Sequence, residues 1–197
     1  MHQKEILSLM LKKNNGYLKT SEAQSAGVSR TVLCDYVRKN NLEKVARGLY
    51  MSNDTWMDFF YVIQYRYPNA IFSHETALFL HEIANREPDP ISVTVRAGTS
   101  STNLIHDGIK VYKVKNETFD HGTTYVYTPY GNIVKTYDVE RSICDLFRSR
   151  RYIEYQELQE SVKTYVSSRD KNIPLLLRYA KELSVEKKVQ HYLEVLL

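Results

Sequence analysis

Residues 27–51 restrict the fold more than any other stretch of the chain. Gly27-Val28-Ser29 reads as a turn ending in a helix cap, because a serine oxygen accepts from the open amides of a first turn. The following RTVLCDYVRK, projected at about 100° per residue, puts Val32, Leu33, Tyr36 and Val37 on one face. Thr31, Asp35 and Arg38 fall on the other, flanked by Arg30 and Lys39. LEKVARGLYMS then predicts a hairpin: Leu42–Val45, a turn through Ala46-Arg47-Gly48, and Leu49–Met51. Upstream, Ile6, Leu7, Leu9, Met10 and Leu11 carry helical spacing over residues 3–14, with Lys12 and Lys13 at the dipole's negative end and Asn15-Gly16 as the stop. A short second helix is capped by Thr20 or Ser21, buries Ala23 and Ala26, and ends at Gly27. Three helices, a short turn before the third, and a hairpin make a winged helix-turn-helix.

Charge follows the same division. Residues 1–52 hold nine lysines and arginines against four acidic side chains, a net +5. The remainder holds 18 basic and 19 acidic residues, a net −1, so the formal +4 of the whole chain is concentrated in its first quarter. Asn53-Asp54-Thr55 reads as a domain boundary and helix cap, followed by a helix over 55–66 that ends before Pro68. A strand at Ala70–Phe72, a helix capped by Ser73, and strands at Ile91–Val95, Ile109–Val114, Thr124–Tyr127 and Ile133–Tyr137 come next. Asp138 caps a helix over VERSICDLFRSR, and three helical segments close the chain at about 153–167, 174–183 and 185–196. The expected architecture is therefore α+β: a winged helix-turn-helix over 1–52 and, over 53–197, a mixed domain with a small β-sheet and helices.

Composition excludes several classes. With 43% hydrophobic and 25% charged residues the chain is globular rather than disordered. No apolar run approaches the roughly 20 residues of a membrane span, and the N-terminal apolar stretch is interrupted by charge, unlike a secretory signal. Two cysteines, Cys34 and Cys144, exclude a disulfide framework or a four-cysteine zinc site and suit a cytoplasmic protein. Without a local base or CxxC partner, both are expected to be small buried or half-buried residues. No glycine-rich phosphate loop, nucleophile elbow or kinase signature occurs, and no cofactor is expected.

Helix 30–40 carries the sharpest chemistry. In a helix-turn-helix its outward face enters the DNA major groove, so Arg30 and Thr31 are placed at base edges and the amides behind Ser29 at a phosphate. Arg38 and Lys39 extend that face, Lys44 and Arg47 lie on the wing, and Lys19 opens the second helix against the backbone. The competing reading is a solvated amphipathic helix in a protein-binding module. In SHETALFLHEI, His74 and His81 are seven apart and lack the HExxH spacing, so a structural role near the helix cap is expected rather than a metal. Glu140, Arg141, Asp145 and Arg148 invite a nuclease reading, but Arg141 and Asp145 at i, i+4 more simply form a helix ion pair. Arg148, Arg150 and Arg151 with Lys110, Lys113 and Lys115 are candidates for a second basic patch, a solvated face being the default. Tyr112, Tyr125, Tyr127 and Tyr137 on strands leave base stacking open, with core packing the simpler role.

Four blocks, GYLKTSEAQSAGVSRTVLCDYVRKNNLEKVARGLY, FSHETALFLHEI, YDVERSICDLFRSR and the terminal YLEVLL, in this order over nearly the whole chain, resemble the AbiEi-type antitoxins of type IV toxin–antitoxin pairs in phage defence. The resemblance implies a winged helix that binds inverted repeats in its own promoter and represses the operon. It also implies a C-terminal domain needed to counteract a nucleotidyltransferase-like toxin without forming a stable complex with it; the chain is read as a non-enzymatic repressor and antitoxin. Carried over by position, DNA contact falls on Ser29, Arg30, Thr31, Arg38, Lys44 and Arg47. The alternatives are a C-terminal enzyme acting on RNA or nucleotides, and a module that sequesters the toxin by direct binding.

Overall fold

The computed structural model describes residues 2–149 and 155–196 and is α+β. It divides into two compact units. One runs to Arg66 and adds Tyr127–Val134; the other comprises Tyr67–Val126 and the chain from Lys135 onward. Sequence places the division at residue 53, whereas residues 53–66 pack with the first unit.

The first unit is a winged helix. Helix α1 (Gln3–Lys13) buries Leu7 and packs Ile6, Met10 and Leu11 with Leu18, Ala23, Val28, Leu33 and Leu42. Helix α2 (Thr20–Ser25) and helix α3 (Arg30–Lys39) supply Ala23 and Leu33 to that cluster. Strands β1 (Tyr17–Lys19), β2 (Glu43–Ala46) and β3 (Leu49–Met51) form an antiparallel sheet in the order β1-β3-β2. Strand β1 carries no sequence signal beyond three residues, and its Lys19 occupies the N-cap position of α2 expected for Thr20 or Ser21. Only glycine fits at 16: its φ is +84°, and a Cβ there would overlap the Thr55 hydroxyl.

Helix α4 (Phe59–Arg66) starts four residues later than expected, because Asp58 precedes it as a buried junction. The Asp58 amide donates to the Tyr17 hydroxyl at 2.8 Å, and its carboxylate accepts from the Tyr61 amide at 3.0 Å, Thr128 Oγ1 at 2.6 Å and Asn132 Nδ2 at 2.8 Å. A carboxylate without water needs such a full set of donors. Segment 127–134 is thereby joined to this unit, and Asn15 Nδ2 adds a bond to the Gly131 carbonyl at 2.8 Å.

In the second unit, β4 (Ile71–Phe72), β5 (Ser92–Arg96), β6 (Lys110–Val114), β7 (Thr123–Tyr127) and β8 (Ile133–Tyr137) make a sheet in the order β6-β5-β4-β8-β7. Strands β5 and β6 are parallel, which requires a crossover; it contains helix α6 (Thr102–His106). Helix α5 (His74–Leu80) follows β4, and the one-turn α7 (Asn116–Phe119) precedes β7. Helix α8 (Val139–Arg148), capped by Asp138 accepting from the Arg141 amide at 2.8 Å, is buried from Glu140 to Phe147. Around it pack α9 (Tyr155–Ser167), α10 (Ile173–Glu182) and α11 (Glu186–Leu196), contributing Leu158, Val162, Tyr165, Leu176, Tyr179, Val189 and Leu193 to one core.

Among the charged and titratable groups buried there, Arg141 and His74 are held by local partners. Arg141, fully buried, donates from Nε to Asp145 at 3.0 Å and from Nη1 to the carbonyls of Thr118 at 2.6 Å and His121 at 3.0 Å, with its guanidinium over the Tyr137 ring. Gly122 makes room for it: φ is +77°, and a Cβ would lie 2.7 Å from Arg141 Cβ. His74, at φ +55°, bonds Ser73 Oγ and Ser149 Oγ at 3.0 Å each and stacks on Tyr112. Ser73 is therefore at the N-cap of α5 but does not cap it with its side chain; its oxygen serves His74 and Thr94. Burial, and then the positive charges of Lys110, Arg141 and Arg148, push the His74 imidazole well below its ordinary range.

Asp145→Ala strands the Arg141 charge in the core and should lower stability by about 3–5 kcal/mol in chemical denaturation. Because the folded protein disfavours His74 protonation relative to the unfolded chain, that contribution is complete above the ordinary imidazole pKa and is lost as pH falls below it. The melting temperature should accordingly drop between about pH 7.5 and pH 5, and His74→Gln should flatten the decline.

Candidate nucleic-acid interface

The candidate surface is built on α3 and the β2–β3 wing. Ser29 Oγ accepts from the Val32 amide at 3.3 Å, the expected cap, while the Ser29 amide donates to Gln3 Oε1 at 3.1 Å. Helix α1 is thus tied to the start of α3. Ser29, Arg30 and Thr31 are all exposed, and the Arg30 and Thr31 amides open on the same helix end.

Farther along, the outward face is organised by Asp35. Its carboxylate takes Lys39 Nζ at 3.3 Å, Arg38 Nη2 at 3.2 Å and Lys4 Nζ at 3.6 Å. Lys39 chiefly, then Arg38 and Lys4, hold the Asp35 carboxyl below the usual carboxylate range. The basic side chains nevertheless stay in water, Arg38 at 81% and Lys39 at 61% exposure, so these pairs contribute little stability and exchange readily for a phosphate.

Cys34, expected to be buried or half-buried, is exposed on this helix. The core stripe of Val32, Leu33, Tyr36 and Val37 leaves position 34 on the solvent side with Thr31 and Arg38. Cys144 is buried as expected, and burial pushes its thiol up.

The wing presents Lys44 on β2 and Arg47 in the turn, both exposed. A register shift between Lys44 and Ala46 bends β2, and the Arg47 carbonyl accepts from the Tyr65 hydroxyl at 3.3 Å, which holds the turn to α4. Lys19 differs from the other candidates. Its Nζ donates to Glu22 Oε1 at 2.8 Å and lies over the Tyr61 ring, leaving the side chain 26% exposed. Burial opposes its charge, but Glu22 and Tyr61 outweigh that and hold the ammonium above its ordinary pKa. Ser29, Arg30, Thr31, Arg38 and Lys39 thus share one helix with Lys44 and Arg47 on the adjoining hairpin, while Lys19 is committed within the unit.

The remaining sequence candidates, where described, are engaged at separate places in the second unit. Glu140 accepts from the Tyr165 hydroxyl and the Asn172 amide at 3.0 and 3.1 Å, and Asp145 from Arg141, so both carboxylates are consumed in packing. His81 Nε2 bonds the Tyr137 carbonyl at 2.8 Å, and among the described residues no three His, Cys, Asp or Glu side chains are grouped to hold a metal. Lys110 pairs with Glu75 at 3.6 Å, whereas Lys113 is exposed on the strand face opposite to it and Lys115 starts α7. Arg148 is exposed, and Arg150 and Arg151 lie outside the described residues. Of the strand tyrosines, Tyr137 is buried with its hydroxyl on the Phe119 carbonyl, Tyr112 is stacked on His74, and Tyr125 and Tyr127 are exposed.

N-ethylmaleimide should label Cys34 and spare Cys144 in the folded protein, as intact mass and peptide mapping will show; equal labelling of both would contradict the exposed α3 face. No family model and no curated protein matches this chain. Among solved structures, it is similar to the RV2827C protein from Mycobacterium tuberculosis, with a TM-score of 0.57 and 11% identity over 89% of this chain and 70% of that one. At that identity the likeness concerns the fold. Among the described residues no helix is long and apolar enough to cross a membrane.

Proposed function

We propose that this chain is a repressor that binds double-stranded operator DNA through its winged helix, and that it is the antitoxin of a nucleotidyltransferase-like toxin. The observation that supports DNA binding is the outward face of α3, where Arg30, Thr31, Arg38 and Lys39 stand exposed beside Lys44 and Arg47 of the wing. A helix with that face fits a major groove, and a hairpin with two cations fits the adjoining backbone. Phosphate neutralisation by these side chains dominates affinity, and base-edge contacts at the N-terminus of α3 set preference.

The antitoxin half rests on the AbiEi-type resemblance of the sequence. In this reading the second unit acts without catalysis, in keeping with Glu140 and Asp145 being engaged by Tyr165, Asn172 and Arg141. It opposes the toxin's effect in the cytoplasm with no stable complex between the two proteins.

Gel-shift titration on DNA from the chain's own promoter, repeated over a range of salt, tests the repressor. Affinity should fall steeply with salt, and Lys44→Ala or Arg47→Ala should each reduce the log–log slope by about 1 with equal effect on all sequences. Arg30→Ala or Thr31→Ala should instead change the order of preference among operator variants, by about 1–3 kcal/mol at the affected base pair. Absent or salt-independent operator binding would refute the repressor reading. Growth rescue on co-expression with the toxin, with no co-purification of the two, is the result expected of the antitoxin; a stable complex would favour sequestration.

A further inference from the structure

The outward side of α3 carries one acidic side chain, Asp35, among its cations. A carboxylate facing a polyanion costs affinity unless it finds a donor of its own there. The helical projection that buries Leu33 sets Asp35 one turn beyond Thr31 and one turn before Arg38, on the side that faces a groove.

The surroundings of this carboxylate are specific. Lys39 Nζ and Lys4 Nζ both lie against Oδ2, at 3.3 and 3.6 Å, whereas Oδ1 takes Arg38 Nη2 at 3.2 Å. An ionised carboxylate has about four acceptor positions, so three cations leave room at Oδ1 for one more donor. Three positive charges around one negative give the cluster a net positive charge, and it meets the field of a duplex without repulsion. Asp35 keeps 28% exposure, and cations from two helices, α1 and α3, fix its position.

A major groove offers a carboxylate few partners. Guanine presents acceptors there, thymine an acceptor and a methyl group, and adenine an amino group beside its N7 acceptor. Cytosine presents its N4 amino group with no acceptor from the same base beside it. We infer that Asp35 is a base-reading residue whose Oδ1 accepts from the N4 amino group of a cytosine, while Arg38, Lys39 and Lys4 neutralise the carboxylate and hold it in place. This role rests on the repressor reading of α3, and it names one element of the operator, a C·G pair opposite the second turn of that helix. Arg38 and Lys39 have donors enough to serve the carboxylate and a flanking phosphate together.

Selection of duplexes from a randomised pool by the full chain, followed by fluorescence-anisotropy titration of the enriched sequence and its single-pair variants, tests this. The wild-type chain should enrich an invariant C·G pair and discriminate against the other pairs at that position by at least about fivefold. Asp35→Ala should still bind but lose its preference at that pair alone. Asp35→Asn should move the preference there to adenine, because a side-chain amide pairs with adenine N6 and N7. Both variants should melt close to the wild type, since the ion pairs lost are exposed to solvent. Base reading by Asp35 is overturned if Asp35→Ala keeps every preference of the wild type, if both variants change affinity equally for all sequences, or if the affected pair is not C·G. A pool that yields no enriched sequence defeats the repressor reading and this role with it; enrichment that ignores position 35 defeats this role alone.

Discussion

The Arg141 guanidinium has no access to water, and the second unit is arranged around the need to answer its charge. Asp145 one turn along α8 supplies the countercharge, and two carbonyls from the chain around α7, those of Thr118 and His121, take Nη1. The Tyr137 ring lies against the remaining face, and its own hydroxyl returns to the Phe119 carbonyl. One side chain therefore ties α8, the end of β8 and the turn before β7, and it dictates glycine at 122. Such a network is costly to assemble and more costly to break than to replace, which makes it a device for a unique arrangement rather than a source of net stability.

The winged helix uses charge in the opposite way. Its cations on α3 and the wing remain in water, where pairing with Asp35 is cheap to give up. Solvation, rather than residue type, separates the arginine that builds the core of one unit from the arginines available to a polyanion on the other. Asp35 also keeps Lys39 and Arg38 arranged along the helix before any partner arrives, a modest preorganisation on a surface otherwise free to fluctuate.

Local signals made much of this legible in the sequence. The Ser29 cap and α3, the hairpin after it, the strands from β5 to β8 and the Asp138 cap of α8 each rest on patterns within about a dozen residues. The Arg141–Asp145 pair is likewise visible at i, i+4. Features that depend on distant partners were not. Asp58 is matched by Thr128 and Asn132, 70 and 74 residues away, and nothing near Asp58 announces them. Cys34 differs for another reason: the absence of a local base or CxxC partner says nothing of burial, whereas the apolar stripe of α3 leaves position 34 in solvent.

The segment 127–134 has a consequence for synthesis of the chain. The first unit incorporates these eight residues, and they carry two of the donors that satisfy the buried Asp58 carboxylate. During translation the winged helix emerges first, but with that carboxylate short of partners. It is completed only once residue 134 has left the ribosome, several seconds later at about 5–20 residues per second. The N-terminal unit thus completes the partners of its buried Asp58 only after most of the strands of its successor have been made.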